Sequence, residues 1–480
     1  MPRYEHGVRV SESPTNIPTP ISFDAGVPVI FGTSPVNLAS DPSNATNKLF
    51  LCNTFDEAKA AVGYSEDYDY TLNQAIDAFF KAFAIGPVVL CNVLDPATNK
   101  ETFTEAEVEI KDGQAVAATA GILLDSLVVK NGETALTKNE DYTVAFDDEG
   151  KLVVTMINTT PVKINLSGNK LKPSTVTNAQ VIGAYDSTTG VETGLELVRE
   201  VFPKFNLTPS LIVAPGFSKN AAVGAAMINK CTEISGLFTC ECVIDLDTTT
   251  ATKYTDVENA KKSAGYTSEH AILLWPCIKY NDKVMFYSAM YAAMVSYNDY
   301  ANDNIPGLYS SNIDCKAQAA VLENGTEVVL DIRQADDYIN AFGVVTVFNM
   351  NGFKAWGNNT AAYPDVTDPK DRWISCRRFF SWWGNTFIVT YFEKVDNPAN
   401  YRLVESIVDS ENVRGNSLVS MNKCAGLRME FNIDDNPVEQ ILNGKIVFKE
   451  YLAPYTPAED ILNVLEFDPT MIEAALGGGE

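Results

Sequence analysis

Apolar residues fall along this chain in three textures. In the first, short apolar runs alternate with helical spacings. Val27-Pro-Val-Ile-Phe-Gly32 reads as a buried strand, residues 55–62 and 70–83 as helices, and Gly86-Pro-Val-Val-Leu-Cys-Asn-Val93 as a second buried strand. Strand–helix–strand alternation predicts an α/β layer with a mostly parallel sheet. The same texture resumes near residue 178. It predicts helices at 194–201 and 219–235, strands at 210–214, 242–246 and 271–275, and a long helix at 284–298. The Met285, Tyr291 and Met294 stripe of that last helix reads as core.

Between 99 and 177 the strands become short, alternating and bounded by turns. Asp112-Gly113, Asn131-Gly132 and Asp147-Asp-Glu-Gly150 separate them. Asn-Gly and Asp-Gly between alternating runs are hairpin signals. The segment reads as a small all-β domain inserted into a loop of the α/β domain.

The third texture begins near Asp336 and holds four of the five tryptophans, Trp356, Trp373, Trp382 and Trp383. Helices are predicted at 368–392 and 400–416. Leu427, Met429, Phe431 and Ile433 alternate with polar residues, which predicts a half-buried strand at 427–433. A second strand is predicted at 444–451, carrying Ile446 and Phe448. Two strands over two helices leave free edges, which folded proteins normally cover.

Both ends look made to cover such edges. His6-Gly7-Val8-Arg9-Val10 is a short strand followed by a leash with Pro14, Pro18 and Pro20. At the other end, Ile461-Leu462-Asn463-Val464-Leu465-Glu466-Phe467 is an apolar run before a loose Leu476-Gly-Gly-Gly-Glu480 end. A β-competent segment on a proline-stiffened leash is suited to adding a strand to another copy's sheet. The expected organisation is an arm at 1–20, a discontinuous α/β domain at 21–98 and 178–335, the β insert at 99–177, an α+β domain at 336–460 and an arm at 461–480.

Composition narrows the function. With 62 acidic against 36 basic residues, the 480-residue chain carries a net charge of −26. That repels phosphate backbones, so no direct nucleic-acid partner is expected. Nine scattered cysteines read as buried reduced thiols, and Cys240-Glu241-Cys242, the only close pair, lacks the partners of a metal site. Met1-Pro-Arg-Tyr-Glu-His has no apolar stretch of the kind an export signal needs, and the longest apolar runs fall short of a membrane span.

Catalytic machinery is hard to assemble from these residues. There are two histidines, His6 in the arm and His270 before a strand. Ser34 and Ser218 lack the Gly-x-Ser-x-Gly elbow. No phosphate-cradling glycine loop, dinucleotide fingerprint or His-Glu-x-x-His motif occurs. The pairs Asp147-Asp148 and Asp434-Asp435 sit in predicted turns, where Asp serves the backbone. The expectation is a structural assembly protein with no cofactor. An α/β hydrolase with an atypical site is the alternative. A surface-layer or adhesin-like protein is a third reading, disfavoured by the missing export signal and the reduced cysteines.

Four motifs, in order, resemble the tail sheath proteins of contractile phages, bacteriocins and related injection machines. They are Tyr4-Glu-His-Gly-Val-Arg-Val-Ser-Glu12, then Leu211-Ile-Val-Ala-Pro-Gly216 with Leu273-Leu-Trp-Pro276, then Asn351-Gly-Phe-Lys-Ala-Trp-Gly-Asn-Asn-Thr360, and Asn443-Gly-Lys-Ile-Val-Phe-Lys-Glu-Tyr-Leu-Ala-Pro-Tyr-Thr-Pro457. The resemblance covers both ends and most of the middle, and the β insert departs from the shortest members. It implies an α/β and α+β multidomain fold: an α/β domain of subtilisin-like topology, an outward-facing β insert, and an α+β C-terminal domain with extended strand arms.

The resemblance also implies sixfold rings stacked helically around an inner tail tube protein, with baseplate and tail terminator proteins as further partners. The arms (Gly7, Val8, Arg9, Val10; Ile461, Leu462, Val464, Leu465, Phe467) would enter neighbours' sheets at Leu427, Met429, Phe431, Ile433, Ile446 and Phe448. Contraction would draw on energy stored in the extended lattice, with hinges at 11–20 and 453–460, and no nucleotide hydrolysis. The protein would belong to the virion tail and assemble in the host cytoplasm. Lys370, Arg372, Arg377 and Arg378 form the densest basic cluster of this acidic chain. They are candidates for contact with an acidic tube, or else an internal salt-bridge set.

Overall fold

Runs such as Val27–Gly32 and Val88–Asn92 are buried at every position, so they need cover on both faces, and a sheet between two helical layers supplies it. In the computed structural model, which describes residues 25–476 except 148 and 158–160, these runs become the centre of a nine-stranded sheet. The N-terminal arm, with Gly7, Val8, Arg9 and Val10, lies outside the described residues. The strands are β1 (Val27–Gly32), β2 (Leu49–Cys52), β3 (Val88–Asn92), β4 (Pro209–Val213), β5 (Glu241–Asp245), β6 (Ala271–Leu274), β7 (Ile313–Asp314), β8 (Val344–Asn349) and β9 (Phe353–Trp356). Their spatial order is β7-β9-β8-β6-β5-β4-β1-β3-β2. β3, β1, β4, β5, β6 and β8 are parallel. Antiparallel β2 closes one edge, and β9 with β7 the other.

Alternate residues of β1 feed two cores. Val29 and Phe31 join the one packed under the helices Ala221–Lys230 and Val257–Ala264. Ile30 joins the one under α1 (Tyr287–Ala301). Helix α1 is buried almost all round, and Met285, Tyr291 and Met294 are fully buried in that core. The predicted helix start at 284 is corrected: Lys283–Met285 is a short strand, paired to Cys277–Tyr280, and the helix begins at Tyr287.

Between Asn99 and Lys172 the chain leaves this sheet and builds two small antiparallel sheets. One contains Lys100–Glu109 and Lys163–Leu171; the other contains Gln114–Ala120, Tyr142–Phe146 and Lys151–Met156. They share a core of their own around Phe103, Val129, Leu152 and Leu166. The excursion begins and ends at one point, where the Lys172 N–H donates to the Asn99 carbonyl at 3.0 Å.

The chain then builds helices α2 (Ile374–Tyr391) and α3 (Tyr401–Ser420) and an antiparallel pair, β10 (Cys424–Glu430) and β11 (Lys449–Pro454). The expected boundary at 336 is corrected, because β8 and β9 belong to the large sheet. The predicted helix 368–392 is also broken. Pro369–Arg372 forms one turn, Trp373 is extended, and Asn359 bridges to Trp373 before α2 begins.

Helix α2 docks on the α/β layer through buried polar pairs. Arg378 forks onto both carboxylate oxygens of Asp299, 3.0 Å on the Nη1 arm, at the C-terminal end of α1. Ser381 Oγ donates to Glu241 Oε1 at 2.6 Å, and the Asn385 amide both donates to and accepts from the Thr239 backbone.

Helix α3 lies against β10, and Gly415 is the contact. A Cβ there would overlap Leu427 Cδ2 and come within 3.0 Å of Leu427 Cβ. Alanine would gain about 1 kcal/mol in helix propensity, and overpacking costs about 1–3 kcal/mol. Gly415→Ala is therefore expected to destabilise this region by about 1 kcal/mol net, and Gly415→Val by about 2 kcal/mol or more, read by denaturant unfolding followed through tryptophan fluorescence.

Candidate functional site

The β10–β11 pair is where an added strand has room. β10 is paired on one side to β11, and its outer side is taken at Met429 by α3. Asn412 Oδ1 accepts from the Met429 N–H at 2.9 Å and Asn412 Nδ2 donates to the Met429 carbonyl at 3.0 Å, so one side-chain amide stands in for a neighbouring strand. Met429 faces Glu450 in the register. Because Met429 turns its polar groups away from β11, the alternation of an antiparallel ladder turns those of Glu450 and Leu452 outward too. Among the described residues no strand pairs with that outer edge of β11.

The residues expected to line the accepting sheet divide. Leu427 and Met429 are buried in β10, facing α2 and α3. The strand runs three residues earlier than predicted, so Ile433 is corrected: it lies in the turn Ile433–Asp435 and is exposed. Asn436 ends the strand there, with its amide bonded to the Asn432 carbonyl and to both backbone groups of Val447. The predicted strand 444–451 shifts to 449–454, leaving Ile446 and Phe448 in the connection before it. Phe448 still meets Phe431, ring centres 6.0 Å apart.

Beyond the leash, Ile461, Leu462, Val464, Leu465 and Phe467 are each at least 76% exposed. The segment forms no regular element and no strand pairs with it among the described residues. A helix, Pro469–Leu476, follows it, and the end expected to be loose lies, beyond Leu476, outside the described residues.

The Trp-Gly turn lies at the root of that arm. Trp356 Nε1 donates to Asp336 Oδ1 at 2.7 Å, and the Gly357 N–H donates to Ser311 Oγ at 3.0 Å. Gly357 has φ +134°, and a Cβ would sit 3.0 Å from Val345 Cα, so the turn lies flat on β8 only with glycine there. Thr360 Oγ1 donates to the Asp371 carbonyl at 2.6 Å, and the Ile374 N–H to the Asn358 carbonyl at 2.9 Å, tying the turn to the start of α2.

The basic cluster is committed internally. Arg378 and Asp299 are 5% and 7% exposed at their side chains, which corrects Arg378 as an outward contact. Burial pushes the Asp299 carboxyl up and Arg378 pulls it back. Arg377 pairs with Asp371 at 3.1 Å and Lys370 with the same carboxylate at 2.5 Å. Arg372 pairs with Glu459 at 3.2 Å. The sequence showed the cluster and the adjacent Asp371; Asp299 and Glu459, on distant segments, were invisible to it.

Sequence reading missed a second charged group behind the β10–β11 pair. Glu411, fully buried on α3, accepts from Tyr391 Oη at 2.8 Å and from Arg414 Nη1 at 3.0 and 3.1 Å. The Arg414 guanidinium lies 3.7 Å over the Trp383 ring. Glu450 of β11 points into the same space, and its Oε1 is buried without a partner. Burial first, then the Glu411 carboxylate, push Glu450 up to about 7, and the Trp383 N–H and Arg414 only partly offset them.

Among the described residues His270 lies beside one acid, its Nδ1 3.6 Å from the Glu241 Oε1 that already accepts from Ser381 Oγ, and the Ser218–Asp245 pair lies elsewhere. Ser218 and Asp245 follow or end β4 and β5, whereas His270 precedes β6, at the opposite, N-terminal end of the parallel strands, about 13 Å away over four residues. His270 is buried rather than at the surface, its Nδ1 3.0 Å from the Cys240 carbonyl. Asp245 Oδ1 accepts from the Ser288 N–H at 2.9 Å, and burial pushes its carboxyl up to about 6. All nine cysteines are buried and free. Among the described residues no group of three or more His, Cys, Asp or Glu is placed to hold a metal ion, and no helix is long and apolar enough to cross a membrane.

No protein-family model matches the chain. It is 24% identical over 499 aligned positions to the tail sheath protein of Burkholderia phage BcepMu, covering 99% of both chains. It is 32% identical over 162 positions to the major tail sheath protein of Serratia phage KSP20, covering 32% of this chain and 39% of that one. The fold is similar to the helical sheath of the anti-feeding prophage in its contracted state, with TM-score 0.58, 13% identity, and 96% and 99% of the two chains covered. It is also similar to the contracted sheath complex of the PVC extracellular contractile injection system, with TM-score 0.56, 15% identity, and 98% and 99% covered.

Two outcomes follow from the buried charges. Arg378→Ala strands the Asp299 carboxylate in the interior and is expected to lower the stability of the isolated chain by about 3–5 kcal/mol in chemical denaturation; an outward-facing arginine would leave it unchanged. Glu450 holds its proton in the folded chain from its ordinary 4.5 up to about 7, while the unfolded chain releases it. Stability therefore falls as pH rises through that window and is level above it. Glu450→Gln is expected to stabilise the chain by about 1–2 kcal/mol at pH 8, after discounting for partial exposure, with the gain vanishing near pH 4.

Proposed function

We propose that this chain, which belongs to the contractile tail sheath family, is the subunit of a sheath that polymerises around an inner tube and shortens to drive that tube through a target envelope. The observation that carries this reading is likeness along 99% of the chain to a phage tail sheath protein. Stacked sixfold rings, a tube protein, and baseplate and terminator proteins at the two ends are the partners it entails, in a virion tail assembled in the host cytoplasm. No catalytic step enters, and contraction releases energy stored in the extended lattice.

The mechanical link we propose is strand donation. In an extended chain Ile461, Leu465 and Phe467 fall on one face and Leu462 and Val464 on the other. A strand apolar on both faces suits an interior place in a sheet, not an edge. The open edge of β11 supplies one neighbour, and helices α2 and α3 supply a floor. Covering one face of three large side chains contributes roughly 4–5 kcal/mol, with about 1 kcal/mol net for each backbone bond. The subtilisin-like relation of the α/β layer belongs to the same proposal and rests on six parallel strands with helices on both faces. It carries no protease chemistry, given where His270 sits.

The test is electron microscopy of the purified chain. Hollow striated tubes are expected from the full-length protein. A chain lacking residues 461–480, or one lacking 1–15, is expected to keep its circular dichroism and melting profile yet form no tubes. Normal tubes from the C-terminally shortened chain would remove strand donation by that arm.

A further inference from the structure

The strand β11 ends at Pro454, yet the leash stays on the body of the protein for five residues more. Tyr455 Oη donates to Asn422 Oδ1 at 2.9 Å, and the Tyr455 carbonyl accepts the Cys376 thiol at 3.9 Å. At Glu459 the carboxylate is gripped on both oxygens. Asn358 Nδ2 of the Trp-Gly turn donates to Oε1 at 3.3 Å, and Arg372 Nη2 donates to Oε2 at 3.2 Å. Just beyond, Ile461, Leu462, Val464, Leu465 and Phe467 are exposed.

The grip is preorganised on the receiving side. Arg372 Nε donates to Asn359 Oδ1 at 2.8 Å, and its guanidinium lies over two rings, 4.5 Å from the centre of Tyr363 and 4.0 Å from that of Trp373. Two ring contacts and a second hydrogen bond fix the fork before the carboxylate arrives, so little entropy is lost on closing it. The turn that supplies Asn358 and Asn359 is itself pinned, through Trp356 to Asp336 and through Gly357 to Ser311. Nothing in a free surface loop would require this much scaffolding around a single glutamate.

We propose that Glu459 is a positioning residue and that the Trp-Gly turn is the clasp that holds it, so that the C-terminal arm pivots at Asp460–Ile461 and not along the whole leash 453–460. This rests on the strand-donation reading above and adds to it where the arm is launched and by what. The clasp fixes the exit point of Ile461 relative to the turn and to α2, which shortens the region a donated strand searches. The effective concentration of the strand at its target rises accordingly.

The test has one readout in the single chain and one in the polymer. Chymotrypsin cuts after Tyr455, Leu462 and Phe467. In the full chain held below its polymerising concentration, cleavage within 462–467 is expected to precede cleavage at Tyr455, and Glu459→Lys, which sets a cation against Arg372, is expected to speed the Tyr455 cut on the order of fivefold or more. Glu459→Gln keeps the Asn358 contact and should fall between the two. In assembly, Glu459→Lys is expected to raise the concentration needed for tubes by about fivefold or more, with an unchanged melting profile. Equal cutting at Tyr455 in wild type and Glu459→Lys would overturn the clasp, whatever the polymer does. A faster cut with unchanged assembly would overturn its positioning role. Loss of strand donation itself is read separately, from normal tubes in the chain lacking 461–480.

Discussion

The buried fork between Arg378 and Asp299 is the interaction on which the remaining architecture depends. It joins the N-terminal part of one long helix to the C-terminal end of another across the boundary between the α/β layer and the C-terminal elements. Taking both charges out of water is costly, and the pair recovers that cost only in one geometry. Ser381 on Glu241, Asn385 on the Thr239 backbone, and Lys423 on Asn302 and Asp303 repeat the arrangement around it. Apolar packing would let two layers slide; these directional contacts do not. The β10–β11 pair, the Trp-Gly turn and the root of the arm therefore stay in fixed relation to the large sheet.

That rigidity leaves the exposed segment beyond Glu459 as the described part of the chain with most freedom to move. A molecule with a net charge of −26 repels its own copies at long range. Within a lattice, backbone ladders and apolar faces work at contact distance and are indifferent to the screening that weakens repulsion between surfaces. Bodies that hold their shape, joined by short unpaired segments, can change their mutual arrangement without any body refolding, which is the shear and hinge behaviour expected of packed domains.

Much of this was legible in the chain. Fully apolar β-branched runs gave β1, β3 and β6 their places, because only a sheet covered on two sides buries such runs. Asn131-Gly132 and Asp112-Gly113 marked the insert, since those pairs demand left-handed backbone that hairpins provide. Other features were not legible for identifiable reasons. The run Val344-Val-Thr-Val-Phe-Asn349 has the signature of a parallel strand, but nothing local says which sheet it joins. The alternation through Leu427 and Met429 was correct for the face; it overran to Ile433 because period two does not say where the partner strand stops, although Asn432, Asn436 and Pro437 are turn formers. Arg378 looked like a surface charge because its partner lies 79 residues earlier. Glu450 gave no signal at all: its burial is a product of how β11 lies over α2 and α3.

One further property follows from the meeting of Asn99 and Lys172. The backbone bond between them closes the neck of the insert, and Thr175 and Gln180 hold the Asn99 side chain beside it, so the 72 residues numbered 100–171 form a side branch whose loss or replacement leaves the main path of the chain continuous. The branch has a core of its own and pairs no strand with the large sheet, whose register does not depend on it. For an engineer it is a ready socket, and a foreign module with closely spaced termini plugged in there would be displayed once on every copy of the chain.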